Sequence, residues 1–197
     1  MPFAPTYDVP AGRRAYVELA RVENGNGRIG LLMLHGYMGS PLSSHPMATY
    51  LAEHGISVHC PLLPGHGHYP DKLHKVSRQA WLNEAQEAFA AVKNQYDELF
   101  LMGHSMGAVL GANLCLQNPA VRGLIMLTPI YEAPDDRLNW MKVLRFVMPW
   151  FYPHKMRSMR KLVRERVLDF DPTTNFDDPT FQQDRLPVVS RVPTASL

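Results

Sequence analysis

An apolar run, Leu99-Phe100-Leu101-Met102, meets Gly103-His104-Ser105-Met106-Gly107 and gives way to the small and apolar residues Ala108-Val109-Leu110. The pattern Gly-x-Ser-x-Gly thus lies between a short buried strand and a helix, the context that gives it mechanical meaning. A strand turning this sharply into a helix needs glycine on both sides, because a Cβ there collides with the neighbouring strand or helix. The same turn lifts the serine side chain into the open. A serine hydroxyl is a weak nucleophile, so it needs a base for its proton and donors for the oxyanion it creates. The N–H of Met106, at the positive end of the helix dipole, is placed to be one donor.

The flanking sequence alternates strands with helices. Residues 15–22 alternate in polarity and meet Asn24-Gly25-Asn26-Gly27 before the apolar run 29–34, which predicts two strands joined by a hairpin. A Gly-rich loop, His35 to Pro41, precedes a helix over 44–54 with Met47, Tyr50 and Leu51 on one face and Gly55 as its C-terminal cap. A strand at 56–60 and a Pro- and Gly-rich loop at 61–70 follow. Ser77 caps a helix to about Tyr96 that carries Ala80, Trp81, Ala85, Ala88, Phe89 and Val92 near helical spacing. A strand at 98–102, a helix at 106–117 and a strand at 123–128 complete the series. Such βαβ units predict an α/β fold, a mostly parallel sheet flanked by helices.

At 197 residues the chain is long enough for one core, burying roughly 70% of the surface its unfolded form exposes. Its 20 basic and 18 acidic residues nearly cancel, which argues against nucleic acid as a partner. Cys60 and Cys115 lie in apolar runs and read as buried free thiols of a reducing compartment. Residues 1–14 lack the basic start and apolar centre of a signal peptide and read as a poorly ordered lead-in. No apolar stretch is long enough to span a membrane, and a cytoplasmic protein is the expectation.

After Pro129 the texture changes. Residues 138–151 place Trp140, Val143, Leu144, Val147 and Phe151 on one face, and 156–170 do so with Met156, Met159, Val163, Val167 and Phe170. Between 137 and 167 stand nine Lys or Arg and one acid, Glu165. Two basic amphipathic helices are expected there. Their apolar faces suit packing on the core, and their basic rims suit contact with an anionic or lipid surface. Residues 171–197 show no strong period.

Three segments, His35-Gly36-Tyr37-Met38-Gly39-Ser40-Pro41, Pro61-Leu62-Leu63-Pro64-Gly65-His66-Gly67 and Gly103-His104-Ser105-Met106-Gly107, occur in this order, with Ser105 falling 70 residues after His35. In them the chain resembles the α/β-hydrolases, within that fold the carboxylesterase and monoacylglycerol-lipase group. The resemblance implies a core over 15–130, a helical cap over 131–185 and a linker over 186–197, with the last core strands absent. It implies Ser105 as nucleophile, the backbone N–H groups of Tyr37 and Met106 as the oxyanion hole, and a small-molecule ester with an apolar acyl chain as substrate. No cofactor or metal is implied. In this family the acid and histidine follow the cap. Here His154 is the one histidine after Ser105, and Asp169, Asp171, Asp177, Asp178 and Asp184 lie in cap or linker sequence, so no triad Asp or His is assigned. Loss of such a base costs on the order of 10⁶ in kcat. Two functions therefore stand side by side: a serine esterase working through an acyl-enzyme on Ser105, or an inactive fragment or pseudoenzyme that only binds ligand.

The remaining histidines have simpler readings. His104 reads as a packing residue under the turn and His35 as a hydrogen-bonding partner of loop backbone. His59, His66, His68 and His74 superficially suggest a metal site, but the Pro and Gly between them favour a structural loop. Without further strands, residues 124–128 form an exposed apolar edge, which predicts poor solubility.

Overall fold

Two strands apolar along most of their length set the architecture. β2 (Ile29–Leu34) is buried from Gly30 onward and β4 (Glu98–His104) over most of its length, the pattern of strands in a parallel sheet with both faces covered. The structure, a computed structural model, describes residues 3–21, 28–129 and 148–194. It contains a five-stranded sheet in the order β1-β3-β2-β4-β5, where β1 is Tyr16–Glu18, β3 is Ile56–Cys60 and β5 is Gly123–Leu127. β3, β2, β4 and β5 are mutually parallel, with Leu34 opposite Gly103 and His104 opposite Leu127. This is the expected α/β fold.

Helices cover both faces. α1 (His45–Glu53) packs with Leu31, Met33, Val58, Cys60 and Met102 through Ala48 and Leu51. By alternation Leu32, Leu34 and Leu101 point to the other face, where α2 (Arg78–Val92) and α3 (Met106–Gln117) lie on the sheet. Gly55 caps α1 as expected, at φ +87°. The fully buried positions of α1 are Ala48 and Ala52, with Leu51 partly buried beside them, whereas Met47 and Tyr50 are exposed. α2 ends at Val92 rather than Tyr96.

Two expectations fail. β1 and β2 do not form a hairpin: β1 pairs antiparallel with β3, Tyr16 opposite Cys60. Both edges of β2 are taken by the parallel strands β3 and β4, so β1 cannot pair with β2 and lies instead on the outer side of β3. The turn expected at 24–27 lies outside the described residues. The N-terminal segment, for its part, is docked rather than poorly ordered. The Phe3 N–H donates to the buried Glu84 carboxylate at 3.0 Å, the Tyr7 hydroxyl donates to the His66 carbonyl at 2.8 Å, and Val9 is buried.

The chain divides into two compact units, Met1–Gly67 with Arg78–Glu132 and His68–Ser77 with Ala133–Leu197. In the second, β6 (Trp150–Phe151) pairs antiparallel with β7 (Val192–Pro193), and α4 (Arg160–Phe170) and α5 (Leu186–Ser190) pack through Val163, Val167, Phe181 and Val189. The helix expected over 138–151 lies mostly outside the described residues, and its last two positions are strand β6. Residues 171–194, without period in the sequence, carry α5 and β7. Among the described residues no helix is long and apolar enough to cross a membrane.

Candidate active site

β4 runs into α3 through a single residue. Ser105 is the N-cap of α3 at φ +53°, ψ −117°, a conformation that costs a side-chain-bearing residue about 1–3 kcal/mol. Two backbone bonds hold it: the Ser105 N–H donates to the Leu127 carbonyl at 2.9 Å, and the Ala108 N–H donates to the Ser105 carbonyl at 3.0 Å. The flanking glycines are steric necessities. A Cβ on Gly103 would lie 2.2 Å from the Gly107 carbonyl oxygen, and one on Gly107 would lie 2.1 Å from that of Leu34. The Ser105 side chain is half-buried, and the Met106 N–H, at the first turn of α3, has no acceptor within the helix.

The loop after β2 lies directly on this turn. A Cβ on Gly36 would come within 3.3 Å of the Ser105 Cβ and 2.9 Å of His104 Nδ1. The Gly36 carbonyl accepts from the Gly39 N–H at 3.0 Å and from His35 Nδ1–H at 3.0 Å, while the Leu63 N–H donates to His35 Nε2 at 3.1 Å. Because Nε2 accepts, the ring is neutral with its proton on Nδ1. Burial, with His66 beside it, pushes the His35 pKa down to about 3. The Gly36 carbonyl and the Tyr37 N–H are opposite ends of one planar peptide, so fixing the first orients the second. The Tyr37 ring packs edge-on against His66 at 6.1 Å and Trp81 at 6.0 Å, and Trp81 Nε1–H donates to the Pro64 carbonyl at 2.9 Å.

The other titratable candidates are dispersed. His104 is exposed beside Ser105. His59 Nε2 meets the Tyr96 hydroxyl at 2.6 Å, and burial lowers its pKa. In the second unit His68 packs on Tyr69 and Phe170, and His74 on Trp150. His154 Nδ1 lies 2.7 Å from the Ser190 hydroxyl; burial, with Lys155 and Arg160 nearby, lowers its pKa. Asp171 and Asp178 accept from the backbone N–H groups of Thr173 and Thr180 in local turns. Among the described residues no side chain is hydrogen-bonded to the Ser105 hydroxyl. Both cysteines are free, and burial raises the Cys60 pKa to about 11, which keeps that thiol protonated. Two contacts escaped the sequence reading, the Leu127 carbonyl under the Ser105 amide and the Glu84 carboxylate under Phe3. Neither leaves a local pattern in the sequence.

The order of these parts along the chain has a counterpart. A family model described as serine aminopeptidase, S33, matches residues 26–184, a span that holds both the Gly-rich loop and the Ser105 turn. The chain belongs to this α/β-hydrolase family.

Within it, the thermostable monoacylglycerol lipase of Bacillus sp. (strain H-257) is 29% identical over 109 residues, covering 55% of this chain and 44% of that protein. The carboxylesterase of Bacillus subtilis (strain 168) is 24% identical over 148 residues, covering 75% and 59%. A structure from the metagenome-derived lipolytic enzymes LipS and LipT superposes with a TM-score of 0.61 at 27% identity, over 68% of this chain and 53% of that one. A soluble variant of the Saccharomyces cerevisiae monoglyceride lipase shares the fold, with a TM-score of 0.63 at 14% identity over 99% and 68%. The chain spans about half the length of the curated relatives it matches. The family's description and these relatives name different acyl substrates, so membership fixes the hydrolase fold and not the acyl group.

Proposed function

We propose that this α/β-hydrolase is built to cleave carboxylic esters, with Ser105 as the nucleophile that becomes acylated. One observation carries the reading: Ser105 is held at φ +53° at the start of α3 with the Gly36 loop against it. In the proposed reaction the Ser105 hydroxyl attacks the ester carbonyl, and its proton passes to a base. The N–H groups of Met106 and Tyr37 hold the resulting oxyanion, each such donor being worth about 10² to 10³ in rate. The alcohol leaves with a proton, and water then releases the acyl group as a carboxylic acid. The named activities of the two Bacillus relatives, a monoacylglycerol lipase and a carboxylesterase, support a carboxylic ester as substrate, and the first of them supports an apolar acyl chain.

A second reading rests on the Ser105 hydroxyl having no hydrogen-bonded side chain among the described residues. Without a base, these residues bind an ester and do not turn it over.

A fluorophosphonate probe tests the nucleophile. Labelling that disappears in Ser105→Ala supports it, and equal labelling of both proteins overturns it. Hydrolysis of p-nitrophenyl butyrate separates the two readings: turnover abolished by Ser105→Ala identifies an esterase, and ester binding without turnover identifies a ligand-binding protein.

A further inference from the structure

The second unit holds a cavity of about 470 Å³ that the esterase reading does not use. That volume lies in the range of small-molecule sites. Its apolar wall is formed by Val163, Leu186 and the Phe176 ring. Its other wall is basic. Arg160 and Arg164 stand one turn apart on α4, both exposed, and neither is ion-paired with a described residue, whereas Lys161 on the same helix pairs with Glu165 at 3.8 Å. Like charges at that spacing destabilise a helix, so an anion between them relieves a repulsion.

The wall has fixed geometry. The Arg164 guanidinium lies 5.2 Å over the Phe176 ring, and Gln182 Nε2–H donates to the Phe176 carbonyl at 2.7 Å, tying down the loop that carries the ring. His154 lines the cavity as well. The Ser190 hydroxyl gives its single proton to the Leu186 carbonyl at 2.6 Å, so it must accept from His154 Nδ1. His154 Nε2 is therefore an acceptor on a neutral ring, and the arginines are the groups that can hold an anion. Asp177, the acid in the lining, forms no ion pair with either arginine, so neither guanidinium is ion-paired among the described residues.

We propose that this cavity binds an amphiphile with an anionic head, its carboxylate or phosphate oxygens on Arg160 and Arg164 and its chain on Val163, Leu186 and Phe176. Guanidinium groups match the planar oxygen pairs of such heads better than point charges do. The site is independent of catalysis and stands whether or not Ser105 turns over substrate.

Calorimetric titration of the full chain with decanoate, below its micelle concentration, tests the site, with decanol as the neutral control. Decanoate binds and decanol does not. The double variant R160Q/R164Q weakens decanoate binding by about tenfold or more, as expected for loss of charge-assisted hydrogen bonds. A double variant R157Q/K161Q, which removes the same charge from the same unit outside the cavity, retains it. All four positions are exposed, and unchanged circular dichroism melts confirm that the variants fold. Phosphatidylcholine vesicles with and without phosphatidylglycerol identify the source of the head. Binding to the anionic vesicles that depends on Arg160 and Arg164 points to a lipid headgroup, and decanoate binding alone points to a free carboxylate. Equal loss in both double variants, equal affinity for decanol, or binding to neither probe overturns the proposal.

Discussion

The Leu63 N–H donates to His35 Nε2 at 3.1 Å, joining the loop after β3 to the loop that presents Tyr37. This bond works only while His35 is neutral, and burial holds its pKa near 3 against an ordinary value of 6.5. The unfolded chain therefore binds a proton that the folded chain refuses between those pH values. Stability from this group is complete above about pH 6.5 and falls as pH drops toward 3. Urea midpoints measured from pH 7 to pH 4 are expected to fall. His35→Phe flattens that fall and costs about 1–3 kcal/mol at neutral pH, since the Leu63 N–H is left buried without an acceptor. The same variant slows fluorophosphonate labelling of Ser105, because the Gly36 carbonyl loses a donor and the Tyr37 N–H loses its fixed direction.

The glycines of α3 and its approach separate by what their missing side chains would meet. Gly107→Ala drives a Cβ to 2.1 Å from the Leu34 carbonyl oxygen, and Gly103→Ala drives one to 2.2 Å from the Gly107 carbonyl oxygen. Backbone cannot yield as a side chain can, so each destabilises by on the order of 3 kcal/mol or prevents folding. Gly111→Ala meets only the end of the Leu124 side chain, at 3.0 Å, and gains helix propensity of about 1 kcal/mol. Thermal melts are expected to place Gly111→Ala near the parent and the other two far below it.

These two cases mark what the sequence makes legible. The Ser105 turn is local: the glycines, the serine and the apolar run lie within a dozen residues, and their spacing alone dictates strand, turn and helix. The partner of β1 is not local. The Asn-Gly repeat at 24–27 favours a hairpin on nearest-neighbour grounds, and only the competition of β3 and β4 for the edges of β2 decides otherwise. The N-terminal segment misleads for a similar reason, since Pro-rich composition says nothing of a buried carboxylate 81 residues away at Glu84. His35 is intermediate: its hydrogen bond to loop backbone was expected, while its link to Leu63 needs the fold.

Ser105 itself sits where glycine is preferred. At φ +53°, ψ −117° the side chain is retained against a backbone cost of about 1–3 kcal/mol. Ser105→Gly is therefore expected to raise stability by about 1 kcal/mol after the entropy cost of glycine is subtracted, while abolishing probe labelling. Ser105→Ala abolishes labelling without that gain. Chemical denaturation of the three proteins side by side checks this, and a Ser105→Gly variant no more stable than Ser105→Ala would show that the turn carries no strain.

Among the described residues β5 is an edge of the sheet, and one of its faces is apolar. Ile125 is 45% and Leu127 37% exposed, and by alternation both project from the same face. An edge strand of this kind offers unpaired backbone groups beside an uncovered hydrophobic surface, the usual template for pairing with another chain. A charge placed at Ile125, 45% exposed, disrupts such pairing and removes only a partly buried contact. Ile125→Lys is therefore expected to lower self-association at a given concentration with a melting temperature close to the parent's. Lysine at Ile29, on the internal strand β2, makes the control, since there the same charge lies between two parallel neighbours and lowers the melting temperature. Sedimentation velocity read beside the melts decides the matter. If Ile125→Lys associates as strongly as the parent, the β5 edge is not the surface through which copies of the chain meet.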